Sequence, residues 1–185
     1  MIIGICGKKF SGKSTVAGML HNATGYPVVS FADKLKDVTC ILSGCTRDDL
    51  EDYNFKELVN VPPYLVPYCG DAEKPTFRAF LQYFGSEVMR GVNDNIWIDC
   101  TLSNCGEDAI ISDCRFPNEA KAIKERGGIV IKVVRPDAKA EDSHQSETLI
   151  DEIDADYTLW NDTTLENLVA NVDSLVRLLR VNGRI

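Results

Sequence analysis

Positive charge is scarce along this chain. Its 185 residues carry 20 Lys and Arg against 28 Asp and Glu, a net charge of −8 with histidine neutral. A nucleic-acid polymer calls for a net basic face, so such a partner is disfavoured, and any phosphate must be met by a local cationic pocket. Only two histidines occur, His21 and His144, and the seven cysteines include no C-x-x-C spacing. A zinc site or a disulfide set is therefore disfavoured, and buried free thiols are expected. No apolar run approaches membrane-spanning length, and MIIGICG leads into a motif rather than a cleavage site. A cytoplasmic protein with no membrane partner is the expectation. Internal repeats and low-complexity segments are absent too, and the length suits one domain that buries its own core.

What is present is an alternation. Short apolar runs stand at 2–6 (IIGIC), 26–31 (YPVVSF), 108–113 (DAIISD), 128–134 (GIVIKVV) and 155–160 (ADYTLW). Helical patterns separate them, with Pro117 at a first helical position, Gly127-Gly128 as a stop, and Thr163-x-x-Glu166 as a capping box. This predicts an α/β fold in three layers, a five-stranded parallel sheet covered on both faces. Two segments interrupt the rhythm: a long excursion from about 33 to 105, and the polar stretch 136–148. Insertions of this size point to a helical binding insertion and a short lid, of the kind that shuts water out of phosphoryl transfer.

The first loop is the strongest signal. Gly7-Lys8-Lys9-Phe10-Ser11-Gly12-Lys13-Ser14 has the G-x-x-x-x-G-K-[ST] spacing of a phosphate-binding loop, between an apolar strand and a helix. Glycines admit backbone N–H groups to phosphate oxygens, and the helix N-terminus adds its dipole. Gly7, Lys8, Ser11, Gly12, Lys13, Ser14 and Thr15 are thus expected to hold ATP, Lys13 on the β- and γ-phosphates and Ser14 on Mg²⁺. Asp113, at the end of an apolar run, is the expected second Mg²⁺ carboxylate, although a strand-end turn would also use an aspartate. Cys114 follows it where motor ATPases place a water-activating carboxylate, and no Asn-Lys-x-Asp element occurs. A hydrolase and a GTPase are both less favoured.

Residues 75–91 read as one helix capped by Thr76. Phe77, Phe80, Leu81, Phe84 and Val88 make an apolar face, while Arg78, Gln82, Ser86 and Arg90 step by four along the other side. Such a stripe clamps a phosphate and reads a base edge, or is merely solvated. Arg115 and Arg135 fall at the carboxyl edge of the sheet, where ligands of open α/β folds bind; a surface ion pair is the competing reading for each. With Lys13, they are the candidate catalytic cations. Trp97 either stacks on a base or fills the core. His144 reads as a solvated flap residue.

With these residues in hand, the chain resembles the bacteriophage deoxynucleoside monophosphate kinases. The likeness rests on GKKFSGKST, SFADKLKD, FKE at 55–57, FRAFLQYFGSEVMR followed by DNIW, ISDCRFPNEAKAIKERGGIVIKVVRP, HQSE and NDTTLENL. It implies a P-loop kinase fold and transfer of the ATP γ-phosphoryl group to a deoxynucleoside monophosphate. Lys9, Lys36, Arg78, Trp97 and Arg115 would touch the monophosphate, with Gln82, Gly85, Ser86 and Glu119 nearby. The site would then lie in host cytoplasm; a homodimer is left open. A phosphate acceptor is already largely dianionic at neutral pH and needs no general base. Asp33 is then unexplained: it orders Mg²⁺, holds Lys36 or an arginine, or serves as base for a hydroxyl acceptor such as dephospho-coenzyme A or a nucleoside. A nucleotide sensor without transfer chemistry is the rival from another class.

Overall fold

Ile2–Cys6 (β1) is buried along its whole length, as a strand covered on both faces must be. It is the central strand of the sheet in a computed structural model that describes residues 1–137 and 149–185. Four further parallel strands complete the sheet: Val28–Val29 (β2), Ala109–Cys114 (β3), Ile129–Val134 (β4) and Tyr157–Trp160 (β5), in the order β2-β3-β1-β4-β5. The outer strands are shorter than their apolar runs. Pro27 has no N–H to give, and Val28 and Trp160 lie half-exposed at the two edges.

The chain divides into two units, residues 1–30 with 102–185, and residues 31–101. In the first, Lys13–Thr24 (α1) and Leu165–Val181 (the last helix, α9) bury Val16, Leu20, Leu168, Val172, Val176 and Leu179 against Ile3, Ile5, Ile110 and Ile131. Pro117–Glu125 (α8) packs on β1 and β4. Gly4 permits that approach, because a Cβ there would meet Ile123 Cδ1 at 2.5 Å.

The second unit is mainly helical, with one isolated antiparallel bridge between Asn60 and Thr76: Asp33–Ser43 (α2), Arg47–Glu51 (α3), Tyr53–Leu58 (α4), a 3₁₀ segment Pro63–Cys69, and Phe77–Tyr83 (α5). Its core is Leu50, Val61, Leu65, Cys69, Phe77 and Phe80. The expected single helix over 75–91 is broken in type: after α5 comes a π-helical stretch, Phe84–Met89, then a last turn, Arg90–Val92 (α6). The unit ends within Ile96–Leu102 (α7). The wider turns of a π-helix shift the angular phase of everything after them, so a count by fours from Arg78 does not carry through to Arg90. Residues 138–148, with most of the expected lid and His144, lie outside the described residues.

Candidate active site

In the first unit the loop after β1 is built by backbone turns. Gly7 has φ 151° and Gly12 φ 102°, and neither position admits a side chain: a Cβ on Gly7 would lie 2.4 Å from the Val133 carbonyl oxygen. One on Gly12 would lie 2.7 Å from Asn161 Nδ2. Phe10 is left-handed as well, at φ 65°, with its ring exposed and Lys9 Nζ 5.3 Å from the ring centre. Ser11 N–H donates to the Lys8 carbonyl at 3.1 Å, closing the turn. The Lys13 ammonium folds back over it, donating to the carbonyls of Gly7 at 2.6 Å and Lys8 at 2.8 Å. Ser11 is buried, and its hydroxyl oxygen has no hydrogen-bond partner among the described residues. An orphaned oxygen inside a glycine cradle at the N-terminus of α1 fits a loop shaped for an anion. Ser14 and Thr15 stand exposed on the first turn of that helix.

Two neighbours brace this loop, Asn161 and Asp151, and neither is read from the sequence. Asn161, at the end of β5, donates from Nδ2 to the Ser11 carbonyl at 2.9 Å, while its own N–H donates to the Val134 carbonyl. Asp151 holds Lys8 Nζ at 2.8 Å and lies 3.5 Å from Lys132 Nζ. The bond from Lys8 holds the Asp151 carboxyl below its ordinary range. At Asp113, β3 spends three residues from Ile111 to Cys114 where β1 spends two from Gly4 to Cys6. Such a bulge re-aims side chains, and Asp113 accepts a short hydrogen bond from the Ser30 hydroxyl. The only signal for Asn161 was its place just beyond a strand at the sheet's carboxyl edge.

Beyond β3, Glu119 is buried and its Oε2 accepts from the backbone N–H groups of Arg115 at 2.7 Å and Phe116 at 3.1 Å. That carboxylate fixes the chain direction at Arg115, which is half-buried. Arg135 is exposed directly after β4. Burial pushes the Cys6 thiol up to about 11 and raises Cys114 well above its usual value, so both stay protonated and inert at neutral pH. Of the seven cysteines, Cys6, Cys69 and Cys114 are buried and four are only half-buried.

In the second unit the expected substrate residues are spread over α2, α5, the π-helical stretch, α6 and α7. Lys36 of α2 pairs with Glu51 at 2.6 Å, and Arg78 of α5 pairs with Glu57 at 3.0 Å. Lys56 of α4 stands among them, its Nζ 3.4 Å from the Glu51 carbonyl oxygen. Burial lowers its pKa, and the charges of Arg78 and Lys36 lower it further. Lys56 belongs to the FKE stretch, yet it was not singled out. Asp33 is held by an unread residue, Arg47, whose Nη2 lies 2.8 Å from its carboxylate while Nη1 bonds the Asp33 carbonyl and Asp37. Trp97 is buried and donates its indole N–H to the Gly85 carbonyl at 2.9 Å. Gly85 in turn leaves room for Leu35, whose Cδ2 would lie 2.5 Å from a Cβ there. Gln82 and Ser86 are half-buried between Arg78 and Arg90, and Arg90 pairs with Asp94 at 2.8 Å with its side chain nearly covered.

The family profile described as Deoxynucleotide monophosphate kinase matches residues 66–172. A protein of Acanthamoeba polyphaga mimivirus, provisionally named as a deoxynucleotide monophosphate kinase, is 34% identical over 95% of this chain and 96% of its own length. The deoxynucleotide monophosphate kinase of Enterobacteria phage T4 is 35% identical over 41% of this chain and 32% of its own. Among solved structures, shikimate kinase from Aquifex aeolicus shares the fold, with a TM-score of 0.50 at 15% identity over 99% of this chain and 98% of its own. The profile match starts well after the phosphate loop, but the mimivirus match runs nearly end to end. On both grounds this chain belongs to the deoxynucleotide monophosphate kinase family.

Proposed function

We propose that this protein transfers the γ-phosphoryl group of ATP to a deoxynucleoside monophosphate, releasing ADP and the deoxynucleoside diphosphate. The observation that carries the assignment to this acceptor is the cluster of Lys36, Lys56 and Arg78. Burial, and then the charges of Arg78 and Lys36, lower the basicity of Lys56, so gathering these three cations is costly to the fold. A dianionic phosphate offsets that cost, and Glu51 and Glu57 are the carboxylates it would displace. The first unit supports the donor half: Gly7, Lys8, Ser11, Gly12, Lys13, Ser14 and Thr15 hold the triphosphate. Lys13, Arg115 and Arg135 neutralise charge on the transferring group.

Ser14 and Asp113 offer the hard oxygen donors that Mg²⁺ prefers, and they would hold it, Asp113 through water. The ion would supply charge neutralisation on the phosphate oxygens. Since the acceptor oxygen is already ionised, no base is needed. The residues therefore have three tasks: to orient two polyanions, to screen their repulsion and to keep water out. Residues 33–105 are assigned the monophosphate and 136–148 the lid. Lys9, Gln82, Gly85, Ser86, Arg90, Trp97 and Glu119 are assigned to the acceptor side, Trp97, Gly85 and Glu119 as supports rather than contacts.

A hydroxyl acceptor would need Asp33 as base, and that role is disfavoured because the Asp33 carboxylate is already engaged by the Arg47 guanidinium at 2.8 Å. The test is to mix the protein with Mg·ATP and each deoxy- and ribonucleoside monophosphate, then follow ADP and the new diphosphate by chromatography. Turnover with a hydroxyl acceptor and with no monophosphate would overturn the assignment.

A further inference from the structure

The junction between α2 and α3 holds a pair of thiols that phosphoryl transfer does not use. α2 closes on Gly44, which has φ 79° and returns its N–H to the Cys40 carbonyl at 2.9 Å. That reversal carries the chain back so that Cys45 Sγ lies 3.9 Å from Cys40 Sγ. Both side chains pack on the edge of the cluster around Leu50, Val61, Phe77 and Phe80, and both are only half-buried. Cys6, Cys69 and Cys114, by contrast, are sealed in the interior.

We propose that Cys40 and Cys45 form a reversible dithiol–disulfide site. A disulfide needs the sulfurs at about 2.05 Å, so they must approach by a little under 2 Å. The turn that would move has space, for a Cβ placed on Gly44 meets nothing within 4 Å. The oxidant is a low-molecular-weight disulfide such as oxidised glutathione. One protein thiolate attacks a glutathione sulfur, and the S–S bond of glutathione breaks to release one glutathione thiolate. The second protein thiolate then attacks the protein sulfur of the mixed disulfide and expels the other glutathione. Two electrons pass from the protein to glutathione disulfide, and the two thiol protons end on the two glutathiones released. Cys45 stands two residues before Arg47, whose guanidinium binds Asp33 and Asp37, so the bond would form at the foot of that ion-pair cluster.

The site stands apart from the acceptor assignment and is tested without any assay of turnover. The full-length protein is equilibrated with oxidised and reduced glutathione in varied ratio, blocked with an alkylating agent and digested with trypsin. Cleavage after Lys36 and Arg47 frees the peptide 37–47, DVTCILSGCTR, which holds Cys40 and Cys45 and no other cysteine. The expected result is a loss of about 2 Da from that peptide with no alkylation, reversed by excess reduced glutathione. Cys45→Ser is expected to abolish the loss while retaining the wild-type circular dichroism. The proposal is overturned if the wild-type peptide stays doubly alkylated at high oxidised glutathione, or if it carries only a glutathione adduct.

Discussion

Under the proposed function, the unit of residues 1–30 with 102–185 meets phosphate with backbone: two glycines in conformations closed to other residues, a buried hydroxyl and a brace from Asn161. The unit of residues 31–101 meets it with long side chains, and its main cations each rest on a carboxylate, Lys36 on Glu51 and Arg78 on Glu57. A backbone cradle is rigid and its N–H groups carry no counterion, although Lys8 beside them is tied to Asp151. A side-chain cluster must exchange carboxylate for phosphate, so its affinity is a difference between two ionic states. The contrast predicts that damage to the phosphate loop falls on rate and ATP, and damage to the cluster of Lys36, Lys56 and Arg78 on the monophosphate.

Lys13→Met should be the most severe change, lowering kcat by about 10²–10³-fold as for other losses of a transition-state cation; ADP release measures it. If kcat held and only a KM rose, Lys13 would be a binding residue and the contrast would fail. Arg78→Ala should raise the KM for the monophosphate by about 10- to 100-fold, from the roughly 1.5–3 kcal/mol of a charged hydrogen bond, with the KM for ATP unchanged. Lys56→Met should raise the same KM and also raise Tm in a thermal scan. The sign follows from its depressed pKa: the folded protein binds that proton less well than the unfolded chain, so below both pKa values charged Lys56 opposes folding. Removing the charge relieves the fold as it harms the site.

Asn161→Ala should cost about fivefold in the KM for ATP, from roughly 1 kcal/mol for one lost hydrogen bond, and leave the monophosphate KM alone. Asp33→Asn should lower kcat less than about tenfold with a phosphate acceptor, against about 10²–10⁴-fold if it were a general base. The smallest effect belongs to Asp151. Its pKa lies below the ordinary value, so the stability it contributes is complete above the ordinary carboxylate pKa and is lost as pH falls through the lowered one. Asp151→Asn should therefore be slightly less stable than wild type to urea at neutral pH, with the difference gone once the pH is below both values.

The sheet and the phosphate loop were legible because their signals are local: apolar runs of five to seven residues, and eight residues at fixed spacing. What escaped is what folding brings from afar. Asn161 bonds a carbonyl 150 residues away, and Arg47 gathers Asp33 and Asp37 across a turn. No spacing rule encodes either. Lys56 was hidden differently, since a lysine beside a glutamate on a short helix looks like ordinary surface until α2 and α5 bring Lys36 and Arg78 beside it. The stripe from Arg78 to Arg90 assumed 3.6 residues per turn, and the π-helical stretch breaks that assumption midway. Cys40 and Cys45, half-buried at a turn, were grouped with the interior thiols because sequence does not show how far a helix cap reverses the chain.

The bond from Asn161 to Ser11 has a bearing on how the protein is born. A ribosome adding roughly 5–20 residues per second needs about 8–30 s to travel the 150 residues between them. Throughout that interval the emerging loop lacks its brace. Nucleotide would thus be gripped in final form only after β5 has left the exit tunnel, a built-in delay before the newborn enzyme can engage its fuel.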